Sequence, residues 1–267
     1  MTDKINPNEY IPPKTLIVPC RTLKTGAAFK WLRAGWDDFN KAKSVSLVYG
    51  FFVFLVSILV AWLSWKLGGY VLLISALSGF VFIAPMLAFG LYSVSRQLCQ
   101  GKTPDLGGTI RAIKRPLGNA MVYTLVLLVV FLLWVRAGMM VQVFFPYGRD
   151  PEWDHILTFL MIGSVVGSIF AIVSFSASVF SLPMLANRDI DVITAVISSI
   201  NGVLRNKPAM FVWATLICSL TAVGFLTAGF GLIIIIPWLA YATWHGYRAA
   251  LDVSDWSKLP REDPEQN

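Results

Sequence analysis

The chain has 267 residues, 56% of them hydrophobic and 14% charged, with a mean hydropathy of +0.66. A soluble domain carries about 25% charged residues, so this balance excludes one and predicts an all-α polytopic membrane bundle. The net charge of +7 falls in alternate loops, which points to the positive-inside bias of a membrane protein and away from nucleic acid.

Residues 1–25 are polar and proline-bearing, with Pro7, Pro12, Pro13 and Pro19, and read as a flexible cytosolic tail. The apolar run at 15–20 is too short for a secretory signal, so no cleaved leader is expected. A membrane domain is predicted over 26–250 and an acidic cytosolic tail over 251–267. At the start of that domain Phe29, Leu32, Trp36 and Phe39 recur at helical spacing, with Lys30, Arg33, Asp37 and Lys41 on the opposite face. Such a helix either lies in the membrane interface or packs on the protein's own cytosolic surface.

Between Lys43 and Lys66 lie 22 uncharged residues, enough for a first transmembrane helix. A second uncharged run of 29 residues covers 67–95, and a basic loop follows with Arg96, Lys102, Arg111, Lys114 and Arg115. Within it Leu106, Ile110, Ile113 and Leu117 again fall at helical spacing. The third span begins near Pro116 and reaches Arg136, with further apolar sequence to Phe145. If it starts at Leu117, Arg136 comes about 28 Å later and can snorkel to the outer interface. A deeper start would bury it as a functional group. An acidic turn at 146–155 precedes a fourth run of 32 uncharged residues at 156–187. Ile193, Val196, Ile197, Ile200, Val203 and Leu204 then mark another amphipathic helix. The 40 residues at 208–247 carry no formal charge and predict two more spans, broken by a turn at Gly229-Phe230-Gly231. Six transmembrane helices result.

One heptapeptide recurs. Residues 82–88 read Phe-Ile-Ala-Pro-Met-Leu-Ala, residues 180–186 Phe-Ser-Leu-Pro-Met-Leu-Ala, and residues 234–240 Ile-Ile-Ile-Pro-Trp-Leu-Ala. Pro85, Pro183 and Pro237 thus kink three helices inside the membrane, which suggests three repeated helical hairpins. In the fourth span Gly163, Gly167, Ala171, Ser174 and Ser178 share one face, a small-residue stripe for close helix packing; a polar path for a substrate is the competing reading.

Charge fixes the predicted orientation. The N-terminal segment, the 96–115 loop, the 188–207 loop and the C-terminal segment hold 8, 5, 3 and 3 Lys or Arg, against 1, 2 and 0 in the other connections. Both termini are therefore expected in the cytoplasm. Arg96, Arg188 and Arg248 each follow a proline-bearing span, and Lys43, Arg115 and Lys207 precede the odd-numbered spans. These six cations are candidate ligands for anionic lipid such as cardiolipin or phosphatidylglycerol, since each Lys or Arg near such a surface contributes about 1 kcal/mol of attraction. The other reading is that they only set topology.

Enzymatic signals are sparse. Cys20, Cys99 and Cys218 form no disulfide or zinc framework, and phosphate-loop, nucleophile and metallopeptidase motifs are absent. Asp150, Glu152, Asp154 and His155 form an acidic turn that reads as solvated surface, with a divalent ion as the alternative. His245 reads as an interfacial histidine bonded to a backbone carbonyl or headgroup, or else as a proton relay.

Three stretches carry a resemblance. Residues 34–39, Ala-Gly-Trp-Asp-Asp-Phe, residues 84–92, Ala-Pro-Met-Leu-Ala-Phe-Gly-Leu-Tyr, and residues 242–248, Ala-Thr-Trp-His-Gly-Tyr-Arg, resemble an uncharacterised bacterial family of six-helix integral membrane proteins. It is a domain of unknown function sometimes labelled cytochrome c oxidase subunit I-like. The resemblance covers about residues 25–250 and implies a location in the bacterial cytoplasmic (inner) membrane. It implies no chemistry, and two histidines cannot ligate the haems and copper of an oxidase core. The expectation is a protein without cofactor that is not an enzyme and that organises lipid or an unknown membrane partner. A small-solute permease or channel is the alternative.

Overall fold

The structure is a computed structural model that describes residues 17–104, 107, 109, 117–144 and 153–257, without the side chains of 68–87, 117, 120, 141–144, 153–156, 159 and 160. The described chain is helical: α1 (Ala27–Lys41), α2 (Lys43–Leu87), α3 (Phe89–Cys99), α4 (Leu117–Phe144), α5 (Trp153–Ser178), α6 (Ser181–Leu185), α7 (Val192–Arg205), α8 (Lys207–Leu226) and α9 (Leu232–Ala250). Four stretches are long and apolar enough to cross a membrane: Lys43–Leu67, Met121–Met140, Met161–Leu185 and Lys207–Leu226. Between 11% and 44% of each stretch is buried in the protein, so most of their surface suits lipid.

The apolar helices pair antiparallel. Tyr123 of α4 donates to Ser178 of α5 at 2.7 Å, and eleven residues, or about 16 Å, further along both helices Gly167 of α5 lies against Trp134 of α4. Helices α8 and α9 form a hairpin whose turn sits at the expected glycines, with Gly229 at φ +86° and Ala228 at +53°. Left-handed backbone costs glycine little, and alanine adopts it here because the turn is over-determined on both sides. Helix α2 is unbroken over 45 residues, where the sequence suggested two spans divided near Lys66. A straight helix would carry Gly90 about 60 Å from Tyr49. Instead Tyr49 hydrogen-bonds the Gly90 backbone, so the chain doubles back between them.

The best-packed region is a cap at one end of these helices. Tyr241, Ala242, Trp244, Tyr247 and Ala250 of α9 are buried there with Trp31 of α1, Leu91 of α3, Phe180 and Leu182 before and within α6, and Trp213 of α8. Trp31 meets Trp213 edge to face at 5.6 Å. The last helix, read as a wholly membrane-spanning segment, thus spends its second half in this core.

Helix α1 packs on the protein itself, the second of the two readings its pattern allowed. Its buried stripe is Ala28, Trp31, Gly35, Asp38 and Phe39, while Phe29 and Trp36 are 58% and 40% exposed. The stripe is offset from the apolar spacing because Gly35 and Asp38 belong to it. Helix α7 departs further. Its buried face is Val192, Thr194, Ala195, Ser198, Ser199 and Gly202, and Ile193 and Leu204 face outward. The segment at 106–117 lies outside the described residues apart from isolated positions.

Residues 17–25, inside the stretch read as a tail, are fastened to the cap. Cys20 bridges Leu251 antiparallel, with Arg21 N donating to Ala250 O at 2.8 Å and Asp252 N to Pro19 O at 2.9 Å. Asn206 secures the strap: its Oδ1 accepts from Leu23 N at 2.7 Å, and its Nδ2 donates to Arg21 O at 3.1 Å and Gly202 O at 3.0 Å. The strap before α1 and the strap after α9 therefore share one face of the molecule.

The proline heptapeptide is only partly repeated in space. In its first two copies the helix ends at the leucine, and the alanine that follows takes almost the same conformation, φ −76°, ψ −18° at Ala88 and φ −72°, ψ −16° at Ala186. The third copy differs, since Pro237 sits inside an unbroken α9. Pro183 lies in the short α6, near the C-terminal end of the apolar stretch Met161–Leu185.

Candidate functional site

The three stretches quoted for the family resemblance meet in the cap. Helix α1 crosses α9 so closely that a Cβ on Gly35 would lie 2.6 Å from Ala242 N, and one on Gly246 would lie 3.0 Å from the Trp31 ring. This contact brings Asp38 to His245, whose Nε2 lies 2.9 Å from Asp38 Oδ2. The same oxygen accepts from Ser95 Oγ of α3 at 2.9 Å. Beside them Ser46 of α2 bonds Tyr241 of α9 at 2.7 Å. The carboxylate sits between the hydroxyl and the imidazole, so the serine faces an acceptor that is already shared rather than a free imidazole base. This order does not activate a nucleophile; it latches α1, α3 and α9 together.

A basic cluster adjoins the latch, and it holds three of the six cations singled out from sequence. Arg96, at the end of α3, donates to Ala186 O at 2.9 Å. Arg188, two residues on, donates through Nη1 to Trp256 O at 2.7 Å. Asn187 Nδ2 donates to the buried Tyr247 hydroxyl at 2.9 Å, and Arg188 and Arg248 are the charged neighbours of that phenol. Arg248 Nη1 reaches Cys99 Sγ at 3.0 Å. Lys43 and Lys207 stand apart, exposed at the starts of α2 and α8. Arg115 lies outside the described residues, as do the side chains of Asp150, Glu152, Asp154 and His155. Arg136 is exposed on α4. Of the residues given structural roles, Gly167 meets Trp134, while Gly163 has open space around it.

Residues 72–187 match the model of a family described as a predicted integral membrane protein (DUF2189). The match takes in the first two proline heptapeptides, Ser95 and Arg96, and ends one residue before Arg188. Asp38 and His245 lie outside it. No curated protein and no solved structure matches the chain.

The Asp38–His245 latch escapes sequence reading because its partners are far apart in the chain and a lone histidine near a helix end has many possible fates. The Asp191 cap was legible in principle, since an aspartate directly before an apolar run is a helix-start signal. Asp191 Oδ1 accepts from Thr194 N at 2.8 Å. Partial burial pushes the Asp191 carboxyl up, but hydrogen bonds from the Thr194 N–H and hydroxyl and from Ile193 N–H outweigh it and hold the carboxyl below its ordinary 3.8. Its lowered value in the folded state makes the ionised cap stabilising above pH 3.8 and lost as pH falls through that lowered value. Asp191→Ala should therefore cost about 1 kcal/mol at neutral pH. In thermal unfolding the gap from the parent should narrow in acid; a gap independent of pH would contradict the cap.

Proposed function

We propose that the chain is a non-catalytic integral membrane protein that gathers anionic lipid, and through it membrane partners, at the face formed by its cap. The observation that carries this reading is where the packing lies. The densest core belongs to the cap, where Arg96, Arg188 and Arg248 converge, and the apolar helices beneath it leave most of their surface to lipid. Exposed Ile193, Leu204 and Phe211 stand beside Arg205 and Lys207, a combination suited to the headgroup boundary. Membership of the matched family, and a place in the bacterial cytoplasmic membrane, are part of the proposal.

Six crossings with both ends cytoplasmic fit this reading. The joined straps support an even number of crossings, reached if the doubled-back α2 and α3 supply two, α4 and α5 two, and α8 and α9 two. The 19 cations at one set of connections against 3 at the other orient the cap inward. In a background lacking the native cysteines, an impermeant thiol reagent applied to intact spheroplasts should label Gly148→Cys and miss Thr103→Cys and Ser257→Cys. Labelling of all three, or the reverse pattern, contradicts the topology. For function, protein extracted from nanodiscs of equal phosphatidylglycerol and phosphatidylcholine should retain the anionic lipid preferentially by native mass spectrometry. Equal retention of the two overturns the proposal.

A further inference from the structure

We infer that Arg188, Arg248 and Tyr247 form a discrete site for the phosphate of one anionic lipid headgroup, an inference that rests on the anionic-lipid reading above and narrows it to one place on the cap. Donors outnumber acceptors there. Arg188 uses Nη1 on Trp256 O, and its Nε is buried with no hydrogen-bond partner among the described residues. Tyr247 accepts from Asn187 and from Arg188, and since both of these partners are donors its own O–H proton is left over. Arg248 is exposed and spends one nitrogen on a thiol sulfur, a weak acceptor. Among the described residues no carboxylate pairs with Arg188 or Arg248; the chain's ion pairs there are Arg21 with Asp252 and His245 with Asp38. Asp189, next in sequence to Arg188, is exposed and pairs with neither arginine.

Each of these groups is held by the fold. Arg188 is tied to the C-terminal strap, Arg248 follows the buried Tyr247 directly, and Arg96 clasps the Ala186 carbonyl that opens the Asn187–Arg188 segment. Two forked guanidiniums and a phenol proton suit the tetrahedral oxygens of a phosphate, which accepts several charge-assisted hydrogen bonds at once. A free phosphate has the same chemistry. The lipid is favoured because the cap sits at the mouths of the apolar helices, where headgroup phosphates are the concentrated anion.

The test uses the full chain in the mixed nanodiscs, comparing Arg248→Gln and Tyr247→Phe with Lys43→Gln and Lys207→Gln. Arg248→Gln and Lys43→Gln remove the same charge, and Tyr247→Phe removes none. Removing Arg248 should lower retained phosphatidylglycerol about fivefold, the ratio that corresponds to about 1 kcal/mol. Tyr247→Phe should lower it measurably, and the lysine variants should leave it near the parental level. Thermal unfolding and the topology labels confirm that each variant is folded. Equal loss in arginine and lysine variants overturns the site while leaving a diffuse anionic preference intact. A parent with no anionic preference overturns both. Adding inorganic phosphate at millimolar concentration separates the sources: if it displaces the lipid from the parent but not from Arg248→Gln, the free anion is the occupant and the lipid assignment falls. Retention of the lipid against phosphate supports it.

Discussion

Gly50→Ala should destabilise the protein by about 3 kcal/mol and lower its unfolding temperature in detergent by about 6–10 °C. A Cβ built on Gly50 would lie 2.0 Å from Ile233 O and 2.8 Å from Ile233 C. Those atoms are backbone of α9, so no rotamer change relieves the clash, and α2 and α9 must separate. The separation would also loosen the Ser46–Tyr241 bond one turn nearer the cap and the Phe54–Phe230 contact, at 4.7 Å, on the other side. Gly163→Ala is the matched control. Nothing lies within 4 Å of that position, so alanine should raise helix stability by about 0.5–1 kcal/mol. Opposite signs for the two substitutions are the expected result. A Gly50→Ala protein as stable as the parent would mean that α2 and α9 do not touch here.

The same pair of glycines marks what could be read without coordinates. Gly163 and Gly167 advertise themselves because they recur four apart in an apolar run. Gly50 and Gly35 have no such spacing, and their importance comes from a helix about 180 to 210 residues away in the chain. Apolar runs, the glycine turn at 229–231 and the convergence of Arg96, Arg188 and Arg248 on one face follow from patterns that are local or set by charge. The inward faces of α1 and α7 do not. Hydrophobicity marks Phe29, Trp36, Ile193 and Leu204 for burial, yet a crowded cap admits Gly35, Ser198, Ser199 and Gly202. Small residues allow the backbones to approach, and hydroxyls satisfy the donors and acceptors that such an approach would strand. Ser198 accepts from Val18 N at 2.9 Å and Ser199 from Phe180 N at 3.1 Å. Large apolar residues are left for lipid, an inversion that soluble-protein patterning does not anticipate.

The second large effect is expected at Asp38. Asp38→Ala removes the one oxygen that holds both Ser95 and His245 and leaves a buried hydroxyl without its acceptor. Hydrogen bonds to a charged group contribute about 1.5–3 kcal/mol each. His245 has a side chain 25% exposed, so water replaces part of its share, and a total near 3 kcal/mol is expected. Asp38→Asn keeps the shape and should recover about half of it, because an amide oxygen in the place of Oδ2 can still accept from both Ser95 and His245, without the charge. A double-mutant cycle with His245→Ala isolates the pair and should return a coupling of about 1 kcal/mol or more. The location of the damage is as informative as its size. With the latch gone, α1 keeps its packing on α9 and the Trp31–Trp213 contact with α8 but loses its tie to α3, so amide exchange should quicken across Ala27–Lys41 while α4 and α5 retain their protection. Faster exchange spread evenly over all helices would mean that Asp38 contributes to the core in general and that the latch is not a unit. No change at α1 would mean that Trp31 and Gly35 alone hold it, and that the carboxylate's burial there serves something other than fastening the helix.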